Sequence, residues 1–263
     1  MADAVRLASW RHLILDNLLS IVIQNATNRA RRMKSILKTF AVSFSALLAL
    51  TCVNAATVTV NPGAAWIGYM NVFETPQHGG AFAFGSGWGT ADLTATFAGP
   101  VLTLGPNTIN DTSSYWYSPS GGPGAVGNKS MDANMYVETT GLYTGQTLTF
   151  TGNVLANTLV GHVNQLGNGW TSVAFIKDFA PDYSSSVTVT APLVNGVFSI
   201  SLPTVNDPTR HIQYGFETIG PDVWSTDVGP YGNIQITAVP EPTTLGLAAL
   251  ALVGMVGARR MRK

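Results

Sequence analysis

Two short stretches of this sequence carry polar side chains at a spacing that could hold a sugar. In Asn134-Met135-Tyr136-Val137-Glu138, the amide, phenol and carboxylate of Asn134, Tyr136 and Glu138 alternate with apolar residues. In His211-Ile212-Gln213-Tyr214-Gly215-Phe216-Glu217, one side is Ile212, Tyr214 and Phe216, and the other carries His211, Gln213 and Glu217. Period-two alternation turns one set to a core and the other to water. Amide, imidazole, phenol and carboxylate groups on the water side could hydrogen-bond the hydroxyls of a sugar. The same residues would equally suit an ordinary solvated sheet face. Sugar recognition also uses a flat apolar surface on which a pyranose ring stacks. Tyr115-Trp116-Tyr117 lies between Ser-, Gly- and Pro-rich stretches. Three adjacent aromatics cannot all face one core, so at least one is expected at the surface or at a sheet edge.

Catalytic patterns are scarce. Glycoside hydrolysis needs two carboxyls flanking the scissile bond. Glu138 and Glu217 are the best candidates, but nothing in the sequence makes them neighbours. Gly85-Ser86-Gly87-Trp88-Gly89 is not a nucleophile elbow, and it lacks the Lys-Ser/Thr of a phosphate loop. His78, His162 and His211 are too far apart to show a metal-ligand spacing. No catalytic residue is assigned, and a non-enzyme is expected. No cofactor is expected beyond structural calcium, for which the acidic loops around Asp178, Asp182 and Asp227 could supply oxygen ligands.

The elements that must position these groups are strands. Val187 and Val189 alternate with Thr188 and Thr190; Phe198, Ile200 and Leu202 alternate with Ser199 and Ser201; Ile234 and Ile236 alternate with Gln235 and Thr237. Asn61-Pro62-Gly63, Asn206-Asp207-Pro208 and Gly229-Pro230 punctuate the runs. Asn195-Gly196, between Leu193-Val194 and Val197-Phe198, predicts a tight hairpin. About a dozen strands at this cadence predict an all-β fold, an antiparallel two-sheet β-sandwich of jelly-roll type. In cadence alone, the later half resembles jelly-roll carbohydrate-binding modules.

The formal charge of the whole chain is zero, but the balance is uneven. Between residues 57 and 238 the cations are Lys129, Lys177 and Arg210, against eleven Asp and Glu. An acidic body lacks the basic footprint that nucleic acid requires. Cys52 is the single cysteine and precedes the body, so no disulfide can form there. A body of this length can stand on its hydrophobic core alone.

The two ends concern routing. Residues 33–56 show Lys34 and Lys38, an apolar run, and then Val53-Asn54-Ala55-Ala56. That is the order of a secretory signal peptide, cleaved after Ala55 or Ala56. Residues 1–32 are then either a mis-assigned translation start ahead of Met33 or a long n-region. At the other end, residues 239–263 hold Pro240-Glu241-Pro242, an apolar stretch from Thr243 to Ala258, and Arg259, Arg260, Arg262 and Lys263. An apolar run of that length is at the lower limit for a transmembrane helix, with the cations inside. The three parts in this order resemble the PEP-CTERM sorting signal of Gram-negative bacteria. The resemblance implies an exosortase as processing partner, transient anchoring in the inner membrane, and delivery to the cell surface or outside the cell.

The expectation is therefore an exported protein with a β-sandwich body, residues 57–238, that binds polysaccharide without turning it over. The exopolysaccharide that accompanies such sorting systems is the expected ligand. A self-assembling structural surface protein and a secreted glycoside hydrolase or lyase are the alternatives.

Overall fold

The computed structural model describes residues 55–239. Of the expected signal peptide only Ala55 and Ala56, the two candidate cleavage residues, are described, as the first residues of a strand paired to the body; the rest of it and the Pro240-Glu241-Pro242 tail with its span lie outside these residues. Among the described residues no helix is long and apolar enough to cross a membrane.

Among the described residues thirteen strands follow one another: β1 (Ala55–Thr59), β2 (Ile67–Glu74), β3 (Phe82–Trp88), β4 (Ala95–Ala98), β5 (Val101–Leu104), β6 (Tyr117–Ser118), β7 (Val126–Thr140), β8 (Thr147–Asn157), β9 (Thr171–Phe179), β10 (Ser186–Pro192), β11 (Gly196–Pro203), β12 (His211–Val223) and β13 (Ile234–Thr237). They form two sheets. The six-stranded sheet runs β1-β8-β13-β5-β4, with β11 on the other side of β8. The seven-stranded sheet runs β10-β9-β12-β7-β2-β3, with β6 beside β7. The fold is the expected all-β sandwich. Its ladders are antiparallel except one, because β1 lies parallel to β8.

Alternation explains the packing. Along β7, Met131, Ala133, Met135 and Val137 turn inward. Along β12, Ile212, Tyr214 and Phe216 do so, and Leu148, Phe150 and Val154 answer them from β8. Trp66 stacks on Phe216 at 6.1 Å, and Phe150 packs against Phe198, Tyr214 and Phe216 at 5.2–5.4 Å. Burial of such side chains contributes about 1.5–3 kcal/mol each, and this core takes the place of disulfides.

The hairpin expected at Asn195-Gly196 is not one. β10 pairs with β9 in one sheet and β11 with β8 in the other, so residues 193–195 cross between the layers. Leu193 is buried at the crossing. Asn157 holds it from β8: its side-chain amide donates to the Leu193 carbonyl at 2.6 Å, and its N–H donates to Asn195 Oδ1 at 2.8 Å. Tertiary packing overrides the local turn preference here.

Candidate functional site

The outer face of the seven-stranded sheet brings the polar rows together. β7 turns Asp132, Asn134, Tyr136 and Glu138 outward, in phase. The antiparallel register sets Gln213 of β12 opposite Glu138, Gly215 opposite Tyr136 and Glu217 opposite Asn134. On the far side of β12, Lys177 of β9 stands opposite Gln213. On the far side of β7, Tyr69 and Asn71 of β2 stand opposite Asn134 and Asp132. Side chains at these registers surround a cleft of about 480 Å³. Gly215 lets β12 and β7 approach closely beside Tyr136: a Cβ there would run into the Met135 carbonyl and the Tyr136 side chain.

Two hydrogen-bonded groups line the cleft. In the first, Glu138 accepts from the Gln213 amide at 2.6 Å through one oxygen and from the Tyr183 hydroxyl at 2.9 Å through the other. Tyr183 lies flat on His211, with ring centres 4.4 Å apart and an interplanar angle of 12°. In the second, the Lys177 ammonium donates to Asn134 Oδ1 and to Glu217 Oε2, both at 3.0 Å, and sits 4.1 Å above the Phe175 ring. Asn134 donates to Asp132 at 2.6 Å, and Asn71 donates to the other Asp132 oxygen at 3.0 Å.

The electrostatics follow from this geometry. Burial, and then the nearby Glu217 charge, push the Asp132 carboxyl above the usual carboxylate range. Burial and the hydrogen bond to Glu138 push the Tyr183 hydroxyl up to about 12, so it stays a donor at any physiological pH. Tyr183 also has a left-handed backbone, φ 58°. A non-glycine residue in that region costs of order 1–3 kcal/mol and persists where surroundings over-determine it. Here the stacking on His211 and the bond to Glu138 do so.

Of the residues expected to bind, Asn134, Tyr136, Glu138 and Gln213 line the cleft. Glu217 joins through Lys177, and His211 through Tyr183. The aromatic trio does not join them. Tyr117 is fully buried and donates its hydroxyl to the Ile109 carbonyl at 2.6 Å, so it is a core residue. Trp116 packs half-buried against Phe84, and exposed Tyr115 sits over the Lys129 ammonium at 4.1 Å. The expectation that at least one of the three faces outward is met by Tyr115, away from the cleft.

Glu138 and Glu217 share the sheet face but not a short spacing. Four residues of register separate them, roughly 14 Å between Cα atoms. Glu138 lies two residues before the end of β7, and Glu217 mid-way along β12. Among the described residues, Asp178, Asp182 and Asp227 do not gather into a group that could hold a metal ion. Asp178 is buried and accepts from the Arg210 guanidinium and the Val205 N–H. Asp182 accepts from Ser184, and Asp227 from the Gly124 N–H.

The cleft is also lined by residues that no sequence motif singled out, Tyr69, Asn71, Lys177 and Tyr183, with Asp132 holding Asn71 and Asn134 from behind. Asp132 continues the Asn134–Tyr136–Glu138 phase by one step, and Tyr69 and Asn71 alternate with Met70 and Val72. Both signals were present. Tyr183 has none, because a turn after β9 brings it back over the sheet.

Comparison with known proteins bears on the tail. Residues 238–263 match the PEP-CTERM protein-sorting motif. The motif marks the chain as an exosortase-sorted protein, exported across the inner membrane of a Gram-negative cell to the surface or beyond. No curated protein matches the chain.

Proposed function

We propose that this exported, exosortase-sorted body binds a polysaccharide in the cleft between β2, β7, β12 and β9, and does so without turnover. The observation that supports the reading most is the unbroken row Asp132–Asn134–Lys177–Glu217 beside Gln213–Glu138–Tyr183. The row alternates donors and acceptors along an open sheet face, as the hydroxyls around a pyranose ring require. Tyr69 and Tyr136 add ring faces beside it.

The charge narrows the ligand. One carboxyl, Glu138, lines the cleft, and two more, Asp132 and Glu217, lie next to its one ammonium, Lys177. Like charges brought together cost free energy. Neutral or amine-bearing sugars therefore suit the cleft better than uronic acids.

The test is calorimetric titration of the body with a soluble neutral glucan, a glucosamine oligosaccharide and a polygalacturonate, alongside exopolysaccharide from the host. Saturable heat with either of the first two, and no new reducing ends, supports the reading. Sugar release would favour the glycosidase alternative, for which the raised Asp132 carboxyl beside Glu217 is the specific observation. No heat with any glycan would sink carbohydrate binding.

A further inference from the structure

The two sheets differ completely in charge. None of the strands β1, β4, β5, β8, β11 and β13 contains an Asp, Glu, Lys, Arg or His. The outer face of this sheet is hydroxyl, amide and apolar groups, exposed Leu155 and Val197 among them, with rows such as Thr57–Thr149–Ser201 and Thr59–Thr151–Ser199 across β1, β8 and β11. The seven-stranded sheet carries ionisable groups on β2, β7, β9 and β12.

The chain also leaves the fold from this uncharged sheet. β13 ends at Thr237, opposite Asn153, in the middle of β8. β1 comes up the same side of β8 from the other direction and ends at Thr59, opposite Thr151. The two ends meet at Gly152. The slot along β8 beyond Thr237 is therefore filled by β1. The inward route is filled too: Val60 is buried, and its Cγ2 would lie 2.9 Å from a Cβ on Gly152. What remains is outward, from the middle of the face. Residues 238–242 separate β13 from the apolar stretch that starts at Thr243. Five residues reach at most ~17 Å. A body of this length has a radius of gyration of about 16 Å, so the tether is shorter than the body is wide.

We propose that, while the sorting tail is attached, the body stands with the uncharged outer face of the six-stranded sheet against the lipid headgroups and its cleft turned away from the membrane. The proposal rests on the tail being inserted in the bilayer. An anionic membrane surface repels the acidic body, and of the two sheet faces this is the one that approaches without placing carboxylates against it. The cleft on the opposite sheet is then open to ligand before and after the tail is cut.

The mature chain has no cysteine once the signal peptide is removed, so single labels can be placed freely. The full chain is expressed in a strain without exosortase, which leaves the tail on, and reconstituted into phosphatidylcholine–phosphatidylglycerol vesicles with a headgroup-linked quencher. A fluorophore at Ser199→Cys, exposed on β11, is compared with one at Thr190→Cys, exposed on β10 of the other sheet. Several-fold stronger quenching at position 199 is expected. Thr57→Glu together with Ser201→Glu should reduce that difference with anionic vesicles more than with neutral ones. Equal quenching, or stronger quenching at 190, overturns the orientation. Self-quenching at 199 that grows with protein density overturns it in favour of a second copy on this face. A chain that does not float with the vesicles removes the tail reading itself, and the orientation falls with it.

Discussion

Gln213 and Glu138 stand opposite each other in the β12–β7 ladder, and the Gln213 amide donates to the Glu138 carboxylate at 2.6 Å. The pair joins the two strands that carry the polar rows proposed to meet a sugar, and it fixes the carboxylate that Tyr183 also reaches. Gln213 is buried and Glu138 partly exposed, so the bond is partly shielded from water. Charge-assisted bonds of this kind are roughly twice as strong as neutral ones. Replacing Glu138 by Ala should weaken glycan binding on the order of tenfold, about 1.4 kcal/mol. Gln213→Ala should do the same. Because the two act as one unit, the double variant should lose less than the sum. Calorimetry on the four proteins checks this; strict additivity would show that the ligand meets them separately.

The sheet face was legible because alternation is a strong signal. Asn134, Tyr136 and Glu138 on one strand and His211, Gln213 and Glu217 on another keep one phase, and that phase survives folding unchanged. That the two strands are neighbours was not legible. It depends on a ladder between residues some eighty positions apart, and no local preference specifies it. The same limit explains Tyr117. Three adjacent aromatics in polar sequence look alike, and only the tertiary fold decides that Tyr117 enters the core while Tyr115 stays out. Asn195-Gly196 failed for a related reason. The dipeptide favours a tight turn, yet each flanking strand finds its partner in a different sheet.

Gly215 should tolerate no side chain. It faces Tyr136 in the ladder, and a Cβ would press on backbone that cannot move without parting β7 from β12. Overpacking of this kind typically costs 1–3 kcal/mol. Gly215→Ala should lower stability by about that amount in urea unfolding and abolish glycan binding together with it. A stable, fully binding Gly215→Ala protein would show that the close approach of β12 to β7 at Tyr136 does not shape the cleft.

Asp222 should make stability fall as pH rises from acid to neutral. Its side chain is buried; Oδ1 accepts the Lys129 N–H at 3.0 Å and Oδ2 has no partner. Burial pushes the carboxyl up to about 7 from 3.8. A folded pKa above the unfolded one means the folded state prefers the proton. The stabilisation is full below about pH 4 and is lost as pH rises through about 7. At 1.36 kcal/mol per unit the effect is on the order of 4 kcal/mol. Asp222→Asn keeps the acceptor for Lys129 and cannot ionise. It should therefore match the wild type in acid and exceed it at about pH 8 in urea midpoints. A wild type and variant with parallel pH curves would overturn the assignment.

Lys177 should govern both stability and ligand preference, because it is the one cation among the carboxyls of the cleft. Its bond to Glu217 is largely shielded, with about a fifth of each side chain exposed. Lys177→Met removes the counter-charge while Asp132 and Glu217 remain close. Breaking a fully buried pair costs 3–5 kcal/mol; solvent screening reduces this to about 1–3 kcal/mol here. The sign of the pH effect follows from Asp132. Its folded pKa is already raised by burial and by Glu217, and Lys177 opposes that rise. Without the lysine it rises further, so the variant gains most from protonation. The stability gap to wild type should be widest near about pH 8 and should close as pH falls towards about 4. In titrations the variant should bind a glucosamine oligosaccharide relatively better than a neutral glucan, since the cleft has become more negative. Equal preference in both proteins would mean that the carboxyls of this face do not meet the ligand, even if the stability change is found as expected.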